Sequence, residues 1–213
     1  MRVVAIDGPV GSGKSTVAKA VAARLDLPYL ESGAMYRVVA LAALRRGIDP
    51  AAEGSVDPMA ALAADVDMEV GERVLLDGTD VTADLRSKEV GRGVSAGAAM
   101  AGGRTERGRR QREWGEGHGG AVVEGRDIGS VVFPDAELKV FLTASAAERA
   151  RRRELDETAD DLARSDLQDS TRAVSPLIVP QGAVVVDTTS RPLEAVVDEI
   201  VGLLQRPARE AGP

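Results

Sequence analysis

Gly8-Pro9-Val10-Gly11-Ser12-Gly13-Lys14-Ser15 follows at once on the β-branched run Arg2–Ile6 and leads into Thr16–Arg24, whose apolar and polar residues alternate at helical spacing. The octapeptide fits GxxxxGK[ST] in full, and a strand before it with a helix after it is the context that pattern requires. Glycines at these spacings let successive backbone N–H groups wrap around a polyphosphate. Lys14 then reaches the β- and γ-phosphates, the Ser15 hydroxyl can ligate Mg²⁺, and the N-terminus of the following helix adds a favourable dipole. Gly8, Pro9, Val10, Gly11, Ser12, Gly13, Lys14, Ser15 and Thr16 are therefore expected to bind ATP or GTP.

Outward from this loop the chain alternates strand and helix. Tyr29–Leu30 falls where a second strand is due, and Ala34–Arg46 reads as a helix closed by Gly47 and Pro50. Further strands are expected at Ala121–Glu124, Glu137–Leu142 and, buried, at Ala183–Asp187, with helices at Ser145–Glu154 and Leu193–Leu204. Such alternation predicts a three-layer α/β/α P-loop fold around a central parallel sheet. Residues 51–85 differ: MEVGERVLLDGTDVT alternates about Gly71-Glu72 and Asp77-Gly78, which are hairpin signals. The expected division is a core of 1–50 and 86–213, a small β-containing insert of 51–85, and an acidic lid segment at 154–170. Arg86–Arg112 reads as helical with a Gly-rich break near Gly102-Gly103, and Gly115–Gly120 as a loop holding His118.

Composition excludes several chemistries. The 213 residues contain no Cys and a single His, which removes disulfides, thiolate metal sites, cysteine nucleophiles and a multi-His metal centre. A net charge of -7 speaks against a broad basic face for nucleic acid. No apolar stretch approaches the length of a bilayer span and the start resembles no signal peptide, so a soluble cytoplasmic protein is expected. The chain also contains no Asn, so the NKxD motif by which GTPases read guanine is missing. A motor or transporter ATPase would need more chain. A small-molecule kinase remains, and it needs a second anionic site facing the γ-phosphate. Three Arg-bearing segments could supply it: Glu31–Arg37, Val123–Gly129 and Asp169–Leu177. For any one of them the bland alternative is a surface salt bridge.

The set GPVGSGKS, SGAMYR, LRSKEV, VVEGRDIGSVVFPDA, FLTASAAERARRR and DSTRAVSPL, in this order along most of the chain, resembles the bacterial cytidylate kinases. The resemblance implies ATP and Mg²⁺ as co-substrate and cofactor, CMP or dCMP as acceptor, and a monomer. It implies that Arg37, Arg126 and Arg172 hold the CMP phosphate and that Ser95, Arg104 and Asp127 read cytosine. Asp169 would meet the sugar hydroxyls, and Ser32 and Tyr36 would line the pocket. Arg149 and Arg153, four apart on one helix face, would lie on the ATP side. Glu124 would orient Mg²⁺-bound water, with Ser15 as the direct ligand, and Lys14, Arg126 and Arg172 would act in catalysis.

This chain departs from the family pattern at Glu31, where Asp is usual, and at Ser165, where Arg is usual. The segment between Arg153 and Asp169 is short, and Gly102-Gly103 replaces an ordinary helix start. Two other functions fit the sequence. One is a P-loop kinase for uridylate, adenylate or a shikimate-like acceptor. The other is a nucleotide-binding regulator that transfers nothing.

Overall fold

The computed structural model describes residues 1–50, 52, 54–71, 73–97, 101–153 and 177–205. Its contacts divide the chain into two compact units, Met1–Tyr29 with Gly117–Pro213, and Leu30–Glu116.

The first unit is built on β1 (Arg2–Asp7), where every residue after Arg2 is buried. It takes a parallel neighbour on each side, β6 (Gly120–Gly125) and β7 (Leu138–Thr143), and β7 pairs in parallel with β8 (Val184–Asp187). A strand enclosed in this way must be apolar on both faces, which is why RVVAI runs without alternation. The sheet order is β2-β6-β1-β7-β8, with β2 (Tyr29–Glu31) the edge strand at which the chain leaves the first unit. Against the sheet pack α1 (Lys14–Leu25) and α7 (Leu193–Gln205). Val17, Ala18 and Val21 of α1 and Val196, Val197 and Ile200 of α7 close one core with Val4, Ile6, Val122, Val140 and Leu142. The expected α/β class with a central parallel sheet is what the chain adopts.

β8 is not the enclosed strand its valines suggested. It lies at the sheet edge, so Val186 is buried while Val185 is 52% exposed.

The second unit holds α2 (Ser32–Arg45), α3 (Val56–Asp65), α4 (Lys88–Gly97) and α5 (Ala101–Gly117) around an antiparallel sheet. That sheet comprises β3 (Met68–Val70), β4 (Val74–Leu76) and β5 (Thr79–Asp80). The hairpin signals fall between paired strands, with Gly71 after β3 and Asp77-Gly78 between β4 and β5. Asp77 and Gly78 each take positive φ, as a two-residue turn between β4 and β5 requires. The break expected near Gly102-Gly103 has its counterpart beside them: α4 ends at Gly97 and α5 begins at Ala101, so both glycines lie in the first turn of α5. At the other end α5 runs on through Gly115–Gly117, which read as loop. Arg110 explains part of this: its guanidinium donates to the carbonyls of Ala64 and Val66 at the end of α3 and so fixes α5.

Candidate active site

Gly8, immediately after β1, shows why the phosphate-loop motif admits no side chain there. Its φ is 152°, and a Cβ would lie 2.2 Å from the Leu142 carbonyl oxygen of β7. Gly11 (φ 75°) is as constrained, with a would-be Cβ 3.0 Å from Arg149. The loop therefore lies flush on β7 and on α6 (Ala146–Arg153).

Its carbonyls are tied one after another to side chains. Arg126 Nη1 donates to the Gly8 carbonyl (3.0 Å) and Lys14 Nζ to that of Pro9 (2.8 Å). Arg149 Nη1 donates to Val10 (3.1 Å) and Arg152 Nη1 to Gly11 (3.3 Å). Thr188 Oγ1 stands 3.0 Å from the Ser12 carbonyl. Five consecutive carbonyls are thus engaged by groups from β6's following turn, α1, α6 and the turn after β8. Carbonyls held by outside donors leave the loop's conformation set before a ligand arrives, which is the condition for a backbone N–H nest. The same arrangement gathers four cationic side chains at one loop in a chain of net charge -7.

Arg152 was not among the residues expected from the sequence. Besides Gly11 it donates through Nη1 to Thr188 Oγ1 (3.0 Å) and through Nη2 to the Thr188 carbonyl (2.9 Å). Its Nε bonds Glu148, whose carboxyl is held down to about 2 by hydrogen bonds from Arg151 first and then Arg152. Arg149 was expected on the ATP side with Arg153 as its companion. On a 3.6-residue helix, i+3 and i+4 flank one face almost equally, so spacing could not choose between Arg152 and Arg153. The side chain of Arg153 lies outside the described residues. Thr188 was also missed. It is buried, and its hydroxyl lies 3.0 Å from both the Ser12 and Thr143 carbonyls. Thr188→Val should lower unfolding free energy by about 1–2 kcal/mol, because buried acceptors lose their donor. Urea unfolding of the two chains measures it.

The GRDIG segment meets the loop from the other side. Arg126 reaches Gly8, and Asp127, next to it, is buried. Just beyond, Asp7 at the end of β1 is completely buried, with Oδ1 accepting from the Ile128 amide (2.8 Å) and Oδ2 from the Gly129 amide (2.7 Å). Burial pushes its carboxyl up to about 6; the two amides and the Lys14 charge oppose that rise and the Asp127 charge adds to it.

Glu124 is the penultimate residue of β6, buried, and its Oε1 accepts from the Tyr29 hydroxyl at 2.5 Å. Ser15 is exposed in the first turn of α1, as is Thr16. A serine hydroxyl and a carboxylate are the hard oxygen donors that Mg²⁺ takes together with waters and phosphate oxygens, so the residues present fit that ion.

In the second unit, Ser32 is buried at the start of α2 and Arg37 lies one and a half turns further on. Arg37 Nη1 pairs with Glu31 Oε1 at 2.5 Å, and the pair passes over Gly33. The longer carboxylate at position 31 thus reaches this arginine. Tyr36 is half-buried on the same helix. The side chains of Ser95 and Arg104 lie outside the described residues, as do Asp169, Arg172 and Ser165 entirely. No helix among the described residues is long and apolar enough to cross a membrane.

The chain is similar to known proteins in sequence and in fold. A family model described as cytidylate kinase matches residues 4–206. A cytidylate kinase from Mycobacterium avium is 46% identical, over 96% of this chain and 95% of its own. A bifunctional pantoate ligase/cytidylate kinase from a Synechococcus strain is 44% identical over 99% of this chain, which spans only 42% of that relative. Among solved structures, shikimate kinase from Acinetobacter baumannii, determined in complex with shikimate, shares the fold with a TM-score of 0.52 at 13% identity. That likeness covers 96% of this chain and 93% of the other.

Proposed function

This chain belongs to the cytidylate kinase family, and we propose that it transfers the γ-phosphoryl group of ATP to CMP or dCMP, giving ADP and CDP or dCDP. A phosphate oxygen of the acceptor attacks the γ-phosphorus in line, a new P–O bond forms, and the bond to the β-bridging oxygen of ADP breaks. The nucleophile belongs to the substrate, so no cysteine or histidine is needed. The protein's task is to position two polyanions and to stabilise charge spreading over the transferred group.

The observation that carries this reading is the meeting of the GRD segment with the phosphate loop, through Arg126 on the Gly8 carbonyl. It supports an acceptor phosphate held close to the γ-phosphate. Gly8–Thr16 hold the ATP phosphates, with Arg149, Arg152 and Arg153 beside them on α6. Lys14, Arg126 and Arg172 stabilise the transferring group. Arg37 and Arg172 join Arg126 on the CMP phosphate, while Ser32 and Tyr36 line the pocket and Asp169 takes the sugar hydroxyls. Asp127 accepts from the cytosine amino group, with Ser95 and Arg104 as the other base readers. Ser15 and, through water, Glu124 would hold Mg²⁺, which supplies charge neutralisation across the β- and γ-phosphates when bound. The residues from 154 to 170 serve as a lid that excludes water from the transfer.

The deciding experiment is an acceptor panel of CMP, dCMP, UMP, AMP and shikimate with ATP and Mg²⁺, reading formation of the phosphorylated product. CMP or dCMP as best acceptor is expected. An inert CMP beside an active AMP or shikimate overturns the reading, as does binding of both nucleotides without any CDP. Within the panel, Asp127→Asn should erode the preference for CMP over UMP roughly ten-fold, because an amide offers both donor and acceptor where the carboxylate only accepts. An intact preference would remove Asp127 from the base-reading set.

A further inference from the structure

We propose that Asp7 is the positioning residue for the Arg126–Asp127 pair: its carboxylate ties the backbone just after that pair to the strand end from which the phosphate loop departs. The inference rests on the acceptor roles proposed for Arg126 and Asp127. Both oxygens of Asp7 are committed, one to the Ile128 amide and one to the Gly129 amide. These two donors directly follow Asp127 in the chain and open the short helical turn Ile128–Val132. Arg126, on the other side of Asp127, is held to Gly8, the residue directly after Asp7. The pair is therefore bracketed: Asp7 grips the backbone on one flank and Gly8 grips the side chain on the other. The carboxylate itself has no exposed surface through which a nucleotide could touch it. Its effect on the acceptor must pass through the segment it holds.

Gly129 marks how close this tie is. A Cβ there would lie 3.3 Å from Asp7 Oδ2 and 3.2 Å from both Lys139 Cδ and Pro180 Cγ. A side chain at 129 would lift its amide from the carboxylate without approaching any residue assigned to ATP. Gly129→Ala and Asp7→Asn should therefore weaken the same function by different routes.

The test is calorimetric binding of CMP and, separately, of Mg²⁺–ATP to the full chain carrying Asp7→Asn or Gly129→Ala, beside the parent. Asp7→Asn keeps the shape but turns an amide nitrogen toward one of the two backbone donors. We expect CMP affinity to fall ten-fold or more in both variants, ATP affinity to change less than three-fold, and the melting temperature of Asp7→Asn to stay within a few degrees. Hydrogen exchange at the Ile128 and Gly129 amides should quicken in Asp7→Asn. Equal CMP affinities in parent and variants overturn the positioning role, and so does an equal loss for both nucleotides or unchanged exchange at those amides. A parent chain that binds ATP but not CMP overturns the proposed activity itself, and the role assigned to Asp7 with it, which separates the two failures.

Discussion

Lys14→Ala should lower kcat by about 10²–10³-fold while the KM for CMP moves only a few-fold. The ammonium is the one cation contributed by the phosphate loop itself, and it lies against the loop's own Pro9 carbonyl. In the loose transition state charge is spread over the equatorial oxygens of the transferring group and builds up on the bridging oxygen whose bond is lengthening. A donor placed at those oxygens acts mainly on the transition state, so its removal appears in kcat more than in ground-state binding. Lys14→Arg should recover little, since a planar fork cannot take the place of a compact ammonium on this close-packed loop. Steady-state kinetics with CMP varied at saturating ATP decide it. A kcat within ten-fold of the parent would show that the three arginines at the loop suffice without Lys14.

The second large effect is one of acidity. Asp7 titrates near pH 3.8 in the unfolded chain and is pushed up to about 6 by burial in the folded one. The folded state thus holds its proton more tightly, and the sign follows. Asp7 contributes most to stability below about pH 4, and that contribution is lost as pH rises through about 6. At neutral pH the buried, ionised carboxylate is a standing cost of about 3 kcal/mol relative to its protonated form. Asp7→Asn carries no such dependence. The unfolding free energy of the parent minus that of the variant should therefore fall by about 2 kcal/mol between about pH 4.5 and pH 7. Urea titrations of both chains at the two pH values measure it. A difference that is flat with pH would mean that Asp7 keeps an ordinary carboxylate's acidity in the fold. A side chain that weakens the fold at working pH and yet ties two loops together is what positioning for function looks like energetically.

How much of this was legible in the sequence depended on how local each signal was. The phosphate loop and its flanking strand and helix were readable because loop conformation, capping dipole and lysine all sit within a few residues. The turn at Asp77-Gly78 was readable for the same reason. The edge position of β8 was not, because a run of valines looks alike in an enclosed strand and in an edge strand with one covered face. Gly115 and Gly117 argued against a helix by propensity, yet α5 carries them through, with Arg110 anchored to the end of α3. Propensity is a weak prior once tertiary contacts compete with it. Arg152 and Thr188 escaped because their partners are backbone carbonyls of a loop far away in the chain, and no residue type announces such a bond. Asp7 escaped most completely: its donors lie 121 and 122 residues further along, and both are main-chain amides.

The ladder of engaged carbonyls from Gly8 to Ser12 bears on how this nucleotide loop could be transplanted. An octapeptide grafted after a strand of another protein would keep its glycines and its lysine. It would leave behind the β7 carbonyl that leaves no room at Gly8, the two arginines of α6, Arg126 and Thr188. The smallest portable module is then not the motif but the strand–loop–helix together with four discontinuous supports. A designer seeking to move ATP binding into a new scaffold would have to rebuild those supports first.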